Sequence, residues 1–80
     1  METKARKTDT TALLKVMVEK GFRTNTSLAV KAGVNRNTLG QVLNGQIQPS
    51  YDVMCKLVTT LELSEIEAGR IFFAHDLRNT

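Results

Sequence analysis

Hydrophobic residues recur along this chain at intervals of three and four, the spacing of one face of an α-helix. Five segments show this spacing, and none shows the sustained alternation of a β-strand. We therefore predict five short helices and an all-α fold. The most continuous apolar faces belong to the first and fourth segments and comprise Leu13, Leu14, Met17 and Val18, then Val53, Met54, Leu57, Val58 and Leu61.

Residues that favour helix ends and helix starts separate these segments. Gly21, Gly33 and Gly45 each follow an apolar segment, and glycine is favoured there because it readily adopts the left-handed backbone conformation. Ser64 and Glu67 have the spacing of a capping box, which predicts a fifth helix from about residue 65 to residue 77. Candidate caps for the other helices are Asp9, Thr10 or Thr11, Thr24 or Asn25, Asn35, and Pro49 or Ser50.

Residues 25–45 have a spacing that suits two helices crossing at a steep angle through a short turn. Ala29 is small where the two backbones would meet, Gly33 tolerates the turn, and Val34 supplies an apolar side chain to bury beneath it. A helix-turn-helix that reads DNA needs this combination, together with apolar positions on the second helix. Those positions are Leu39 and Val42.

This segment resembles the helix-turn-helix of the XRE family, the group of the lambda repressor and Cro. The resemblance rests on Leu28-Ala29, Gly33-Val34 and residues 39–45, and the downstream order of loop, proline, long apolar helix and capped helix also fits. It covers residues 10–67 and implies a five-helix, lambda-repressor-like domain at 9–80 behind a flexible basic arm at 1–8. Asn25 departs from the pattern, because the family usually has a glutamine at this position.

The resemblance implies that the third helix enters the major groove of DNA. Arg36 and Asn37 match positions at which relatives contact base edges, and Gln41 matches another position one turn later. Arginine can bind guanine, and asparagine or glutamine can bind adenine, through two hydrogen bonds, while Thr38 would meet a thymine methyl group or a phosphate. The expected phosphate contacts are Thr24, Asn25, Lys31, Asn35 and Asn44, and the expected arm contacts are Lys4, Arg6 and Lys7.

Several of these residues also have a purely structural explanation. Asn35 can act as a helix cap, Asn44 can help to end its helix, and the basic arm can be a solubilising terminus. Gly40 destabilises a helix interior relative to alanine, and either tight packing or a close approach to DNA would account for it. Cys55 lies beside the apolar face of the fourth helix and is expected in the core.

Composition and charge narrow the function. Residues 1–45 carry eight Lys or Arg and three acids, a net charge of +5. Residues 46–80 carry three Lys or Arg and five acids, a net charge of −2. A polyanion is therefore the expected partner of the first half. One cysteine and one histidine cannot build a disulfide framework or a zinc site, and no nucleophile motif or glycine-rich phosphate loop is present. We expect no enzymatic activity, no cofactor and no metal.

These observations predict a cytoplasmic, sequence-specific transcription regulator, a Cro-like repressor of phage or prophage type that binds a double-stranded DNA operator. The apolar runs are too short to span a membrane. We expect a homodimer on an inverted repeat whose half-sites lie about 34 Å apart. The expected dimer interface is the last helix, through Ile66, Ile71, Phe72, Phe73 and Leu77.

The alternative belongs to a different class, a protein-binding modulator. Such an antirepressor or antitoxin would act through a partner repressor or toxin. In that case the cluster at 71–73, or the third helix, would face protein instead of DNA. The sequence names neither an operator nor a protein partner.

Overall fold

The computed structural model describes residues 8–73, and the regular secondary structure within that range consists of five α-helices. The predictions of an all-α fold and of five helices are therefore confirmed. The last helix is shorter than predicted, because Phe73 leaves the helical conformation at φ −130°, and Leu77 lies outside the described residues. The helices are α1 (Thr10–Glu19), α2 (Asn25–Ala32), α3 (Arg36–Leu43), α4 (Tyr51–Leu61) and α5 (Glu65–Phe72).

Each helix starts at a short polar side chain that accepts a hydrogen bond from the first turn. This pairing satisfies backbone N–H groups that have no partner within the helix. At α5 the predicted capping box is present: Glu67 donates its N–H to Ser64 Oγ at 3.1 Å, and Ser64 donates its N–H to Glu67 Oε1 at 2.9 Å. The caps are Asp9, Thr24, Asn35, Ser50 and Ser64.

Helices α1 to α4 end in turns that contain one left-handed residue. Gly33 has φ 73°, and Val34 donates its N–H back across it to Ala29 O at 3.0 Å. This six-to-one hydrogen bond satisfies a carbonyl at the helix end. The end of α4 has the same hydrogen bond, but the left-handed residue there is Glu62, at φ 56°, instead of a glycine.

A single core joins all five helices, and leucines from α1 to α4 meet there with Phe72 of α5. The periodic pattern on α1 predicted too wide a buried face, since Leu14 and Val18 are exposed while Leu13 and Met17 are buried. α1 packs against α3 and α5, and these two neighbours cover only part of its circumference.

Three predictions about burial are corrected by the structure. Cys55 is exposed instead of buried. Ile71 and Phe72 are buried in the core of this chain, so their side chains are not available to a partner. Ile66 is exposed and Phe73 is half-buried, and these two residues remain candidates for a dimer interface.

The boundary of the N-terminal arm also shifts. Thr8 was expected in the flexible arm, but its side chain is buried, and its hydroxyl donates to Gln48 Oε1 at 2.9 Å. The folded part of the chain therefore includes Thr8. The expected arm contacts at Lys4, Arg6 and Lys7 lie outside the described residues.

Gly40 is not required by tight packing. A Cβ atom built at this position would meet Asn25 Nδ2 at 3.9 Å, which is an ordinary van der Waals distance. This space does not support the packing explanation, and the close approach of Gly40 to DNA stays a prediction.

Replacing Glu62 by glycine should stabilise the fold. A non-glycine residue in the left-handed conformation costs roughly 1–2 kcal/mol. Glycine removes this cost, but its larger loss of conformational entropy on folding cancels part of the gain. We expect Glu62→Gly to raise the free energy of unfolding by about 0.5–1 kcal/mol, measured by urea denaturation. Lys20→Gly is the control. Because Lys20 ends α1 with φ −88°, glycine relieves no strain there and should lower the free energy of unfolding. An unchanged or lower value for Glu62→Gly would contradict this account of the turn.

Replacing Gly40 by alanine should also stabilise the free protein. Alanine is favoured over glycine in a helix interior by about 1 kcal/mol, and the space around Gly40 accepts the added methyl group. Gly33→Ala is the matched control, because φ 73° strains alanine although nothing lies within 4 Å of its Cβ. The midpoints of thermal and of urea unfolding should both rise for Gly40→Ala and both fall for Gly33→Ala. A loss of stability in Gly40→Ala would restore the packing explanation.

Candidate nucleic-acid interface

A polar groove lies between the start of α2 and the outer face of α3, and we call it the recognition groove. All of its side chains are exposed, and Gly40 contributes only backbone to its floor. Arg36 supplies the single formal charge among the residues that line it. The recognition groove is lined by Asn25, Thr26, Arg36, Asn37, Gly40, Gln41, Asn44 and Gln46.

The outer face of α3 is exposed because the opposite face is held in the core. Leu39, Val42 and Leu43 are buried, and the helical repeat of 3.6 residues places other positions on the solvent side. Asn37, Gln41 and Asn44 follow one another at intervals of four and three, so they form one stripe along α3. On the α3 side the groove therefore presents three amides, at Asn37, Gln41 and Asn44, with Arg36 at the start of the helix.

The start of α3 is fixed by Asn35. Its Oδ1 accepts hydrogen bonds from the N–H groups of Asn37 at 2.8 Å and Thr38 at 3.1 Å. The cap explanation for Asn35 is thus confirmed, and this oxygen is already engaged. Thr38 is half-buried and does not line the recognition groove.

The start of α2 forms the other wall of the recognition groove. Thr24 caps this helix, and its Oγ1 accepts a hydrogen bond from the Ser27 N–H at 3.0 Å. Asn25 and Thr26 follow in the first turn, where backbone N–H groups lack helical partners and favour an anion such as phosphate. The space beside Gly40 lets the Asn25 amide lie close to the backbone of α3.

A contact from α4 supports the turn between the two helices. Lys56 Nζ lies 3.1 Å from Asp52 Oδ2 and 3.5 Å from Gly33 O. Both groups are partly exposed, so the ion pair itself stabilises the fold only weakly. The hydrogen bond from Lys56 to the Gly33 carbonyl nevertheless links the turn between α2 and α3 to α4.

The charge of Arg36 is available to a ligand. Within residues 8–73 the ion pair joins Lys56 and Asp52, and Arg36 has no carboxylate partner there. A guanidinium group that is exposed, unpaired with an acid and flanked by amides suits the base edges and phosphates of DNA.

The structure brings together most of the predicted site. Arg36, Asn37, Gln41, Asn25 and Asn44 share the recognition groove. Thr24 and Asn35 flank it as caps, whereas the exposed Lys31 lies outside its lining near the far end of α2.

Sequence reasoning missed Thr26 and Gln46, which also line the groove. Thr26 follows Asn25 in a helix start and could have been included on that ground. Gln46 donates its N–H to Gln41 O at 2.9 Å across the left-handed Gly45. This hydrogen bond folds Gln46 back beside the last turn of α3.

Residues 8–73 offer neither a metal-binding cluster nor a membrane-spanning helix. No group of three His, Cys, Asp or Glu side chains within this range is placed to hold a metal ion. None of the helices there is long and apolar enough to cross a membrane.

Comparisons with known proteins agree with this geometry. Residues 19–67, more than half of the chain, match a helix-turn-helix family. The crystal structure of the restriction-modification controller protein C.AhdI from Aeromonas hydrophila is similar, with 29% sequence identity and a TM-score of 0.65. That match covers 74% of this chain and 88% of the controller protein. No curated protein matches the chain. The chain belongs to the XRE-type helix-turn-helix family and is a DNA-binding transcription regulator.

Proposed function

We propose that this protein is a Cro-like repressor that reads its operator through the recognition groove. The observation that carries this proposal is the placement of Arg36, Asn37 and Gln41 on the outer face of α3, beside the start of α2. A repressor of this kind blocks transcription by occupying its operator, and it acts in the cytoplasm, where its DNA ligand is.

Base recognition is assigned to α3. A B-DNA major groove is about 12 Å wide and accepts one α-helix. Arg36 would bind guanine O6 and N7, and the amides of Asn37 and Gln41 would each bind adenine N6 and N7. Gly40 has no side chain that would hold the helix away from the DNA at the centre of this face.

Phosphate contacts are assigned to the two ends of the recognition groove. Asn25 and Thr26 offer backbone N–H groups at the start of α2, and Asn44 and Gln46 offer amide donors beyond the end of α3. Such contacts fix the position of α3 along the DNA but carry no sequence information. Because the oxygens of Thr24 and Asn35 cap helices, Asn35 would contact phosphate through its NH₂ group and Thr24 through its hydroxyl hydrogen. Lys31 contributes at longer range.

Dimerisation is assigned to a second groove, between α4 and α5, which we call the rear groove. None of its lining residues belongs to the recognition groove, so both can be occupied together. A side-chain hydrogen bond and an electrostatic interaction between Tyr51 and Cys55 raise the pKa of Tyr51. The rear groove is lined by Tyr51, Met54, Cys55, Val58, Thr59, Glu65, Ala68, Gly69 and Phe73.

A second copy of the chain is the occupant that the proposed function requires. An operator with two-fold symmetry is read by a dimer that buries the same surface on both subunits. Ile66 of α5 lies seven residues before Phe73 and is 68% exposed, and the helical repeat puts it on the side of α5 that leads to Phe73.

Two alternatives concern the biological setting. The rear groove could instead hold a different protein, in which case the chain would be an antirepressor or antitoxin. The similarity to C.AhdI suggests control of a restriction-modification operon as another setting for the same DNA binding. Both alternatives predict the same fold. The first is distinguished by a bound protein at the rear groove, and the second by the genes that the bound operator controls.

Arg36→Ala should weaken operator binding without harming the fold. Loss of a bidentate contact to guanine costs about 1–3 kcal/mol, roughly a 5- to 150-fold loss of affinity on the specific site. Removing a cation from the first turn of α3 does not destabilise the helix, because the helix dipole disfavours positive charge there. The measurement is a gel shift with fragments of the region upstream of the protein's own gene.

Arg70→Ala, on the exposed side of α5, is the matched control and should bind as the unaltered protein does. Binding should also weaken steeply with salt, since phosphate contacts release counterions. The proposal fails if the unaltered protein binds no upstream fragment, or if Arg36→Ala and Arg70→Ala bind specific DNA equally.

Ile66→Glu should dissociate the dimer. A carboxylate at the rim of an apolar interface must be desolvated, so we expect the dimer dissociation constant to rise at least about tenfold. The fold should be retained, because an acid in the first turn favours the helix dipole. Sedimentation equilibrium measures the change. Val18→Glu, at a position on α1 that is 65% exposed, is the control, and an equal effect of both variants would contradict the assignment.

A further inference from the structure

Lys56 of α4 contacts the turn that joins α2 and α3. Its Nζ donates to Gly33 O at 3.5 Å, across twenty-three positions of sequence. The same Nζ lies 3.1 Å from Asp52 Oδ2, one helical turn earlier on α4. We call Asp52 and Lys56 together the brace.

The carbonyl that Lys56 binds lies at the end of α2. Carbonyl groups in the last turn of a helix have no partners within that helix and form the negative end of its dipole. A lysine ammonium group that donates to such a carbonyl satisfies the acceptor and is favoured by the dipole. α2 has a basic residue of its own in the last turn, Lys31, but the hydrogen bond to Gly33 O comes from Lys56. Because Lys56 belongs to another helix, this bond fixes the end of α2 relative to α4.

The turn that the brace holds is the one that sets the direction of α3. Gly33 ends α2 in the left-handed conformation, and Arg36, three residues later, is the first residue of α3. Arg36 and Asn37 are therefore the residues of the recognition groove that are nearest in sequence to the contact. A side chain that binds a base edge must be held within about 0.5 Å of its productive position. Movement of this turn would therefore disturb the first base contacts of α3.

The apolar core covers this turn only in part. Gly33 is exposed, and its neighbours Ala32 and Val34 are half-buried. α2 also packs against α4, where Leu57 is fully buried and the adjacent Lys56 continues the contact at the surface. Neither member of the brace lines the rear groove, so a partner bound there can leave the brace in place.

We propose that Lys56 is a positioning residue for base recognition by α3. This inference rests on the proposed function. Lys56 holds the Gly33 carbonyl against α4, and Asp52 restricts the flexible lysine side chain. The start of α3 then meets the major groove in one orientation. This raises the affinity for the operator but not for other DNA, because nonspecific binding depends on phosphate contacts.

Three substitutions in the brace separate its charge from its contact. Lys56→Met keeps the length and the helix propensity of the side chain but removes the donor and the charge, whereas Lys56→Arg keeps both. Asp52→Asn frees the lysine side chain and makes the protein more positive. Lys15→Met is the matched control, because it removes the same charge from an exposed position on α1 that lines neither the recognition groove nor the rear groove.

DNA binding is measured by fluorescence anisotropy on two duplexes of about 30 base pairs, three turns of DNA. One duplex carries the site that the unaltered protein selects from a random-sequence pool, and the other carries the same bases in scrambled order. Each variant is titrated over a range of salt concentrations, and urea denaturation verifies that it is folded. Single base-pair replacements in the selected site then report which positions lose discrimination.

We expect Lys56→Met to weaken binding to the selected site about two- to fivefold more than Lys15→Met does, the range for one partly exposed charged contact. On the scrambled duplex these two variants should bind alike, since each lacks one positive charge. The slope of log affinity against log salt should stay that of the unaltered protein. Lys56→Arg should restore binding, and Asp52→Asn should weaken binding to the selected site although its added positive charge favours DNA.

The effect of Lys56→Met should also depend on Arg36. The base pairs that lose discrimination in Lys56→Met should be those that lose it in Arg36→Ala. Because both variants impair the same contact, adding Lys56→Met to Arg36→Ala should change the affinity little further.

Four results would overturn the proposal. Lys56→Met could weaken binding to both duplexes equally. Its salt slope could fall by about 1, which would make Lys56 a direct phosphate contact. Asp52→Asn could strengthen binding to the selected site, as a simple added charge would, or Lys56→Arg could fail to restore it. Failure of the proposed function is distinguishable, because Arg36→Ala would then bind the selected site with unchanged affinity.

Discussion

Val34 donates its N–H to Ala29 O across the left-handed Gly33, and this short turn sets the direction of α3. The small Ala29 is buried where α2 and α3 pack together. Because the turn and the buried seam fix one face of α3 in the core, the opposite face must be exposed. The recognition groove, its single charge at Arg36 and the stripe of amides all follow from that constraint.

The protein separates two kinds of surface. The recognition groove is polar, open and free of carboxylates. These properties suit DNA, whose phosphate backbone is uniformly negative and whose base edges differ in their hydrogen-bonding pattern. The rear groove is mostly apolar and includes the exposed ring of Tyr51, an amphipathic side chain that suits a partly desolvated contact. No residue is shared between the two grooves, so a change of partner at one leaves the chemistry of the other intact.

The candidate site was predictable to the extent that it depends on one helix and its cap. Asn35 as a cap and Arg36, Asn37 and Gln41 on one exposed face follow from local spacing, because the helical repeat decides which residues are neighbours. Gln46 did not follow, since its place beside α3 depends on the backward turn at Gly45. The assignment of Gly40 depended on the distance to Asn25, which no spacing within one helix contains.

The sequence by itself determined the number of helices and the glycine turns and narrowed each cap to one to three neighbouring residues, because these features result from hydrogen bonds between residues close in sequence. Only the tertiary structure decided which apolar residues are covered. Leu14, Val18 and Cys55 are exposed and Phe72 is buried, although all four lie in periodic apolar segments. A pattern identifies the face of a helix, but the width of the buried face depends on how many neighbours pack there. The hydrogen bond between Thr8 and Gln48 belongs to the same class, since forty residues separate its partners and only the packed core brings them together.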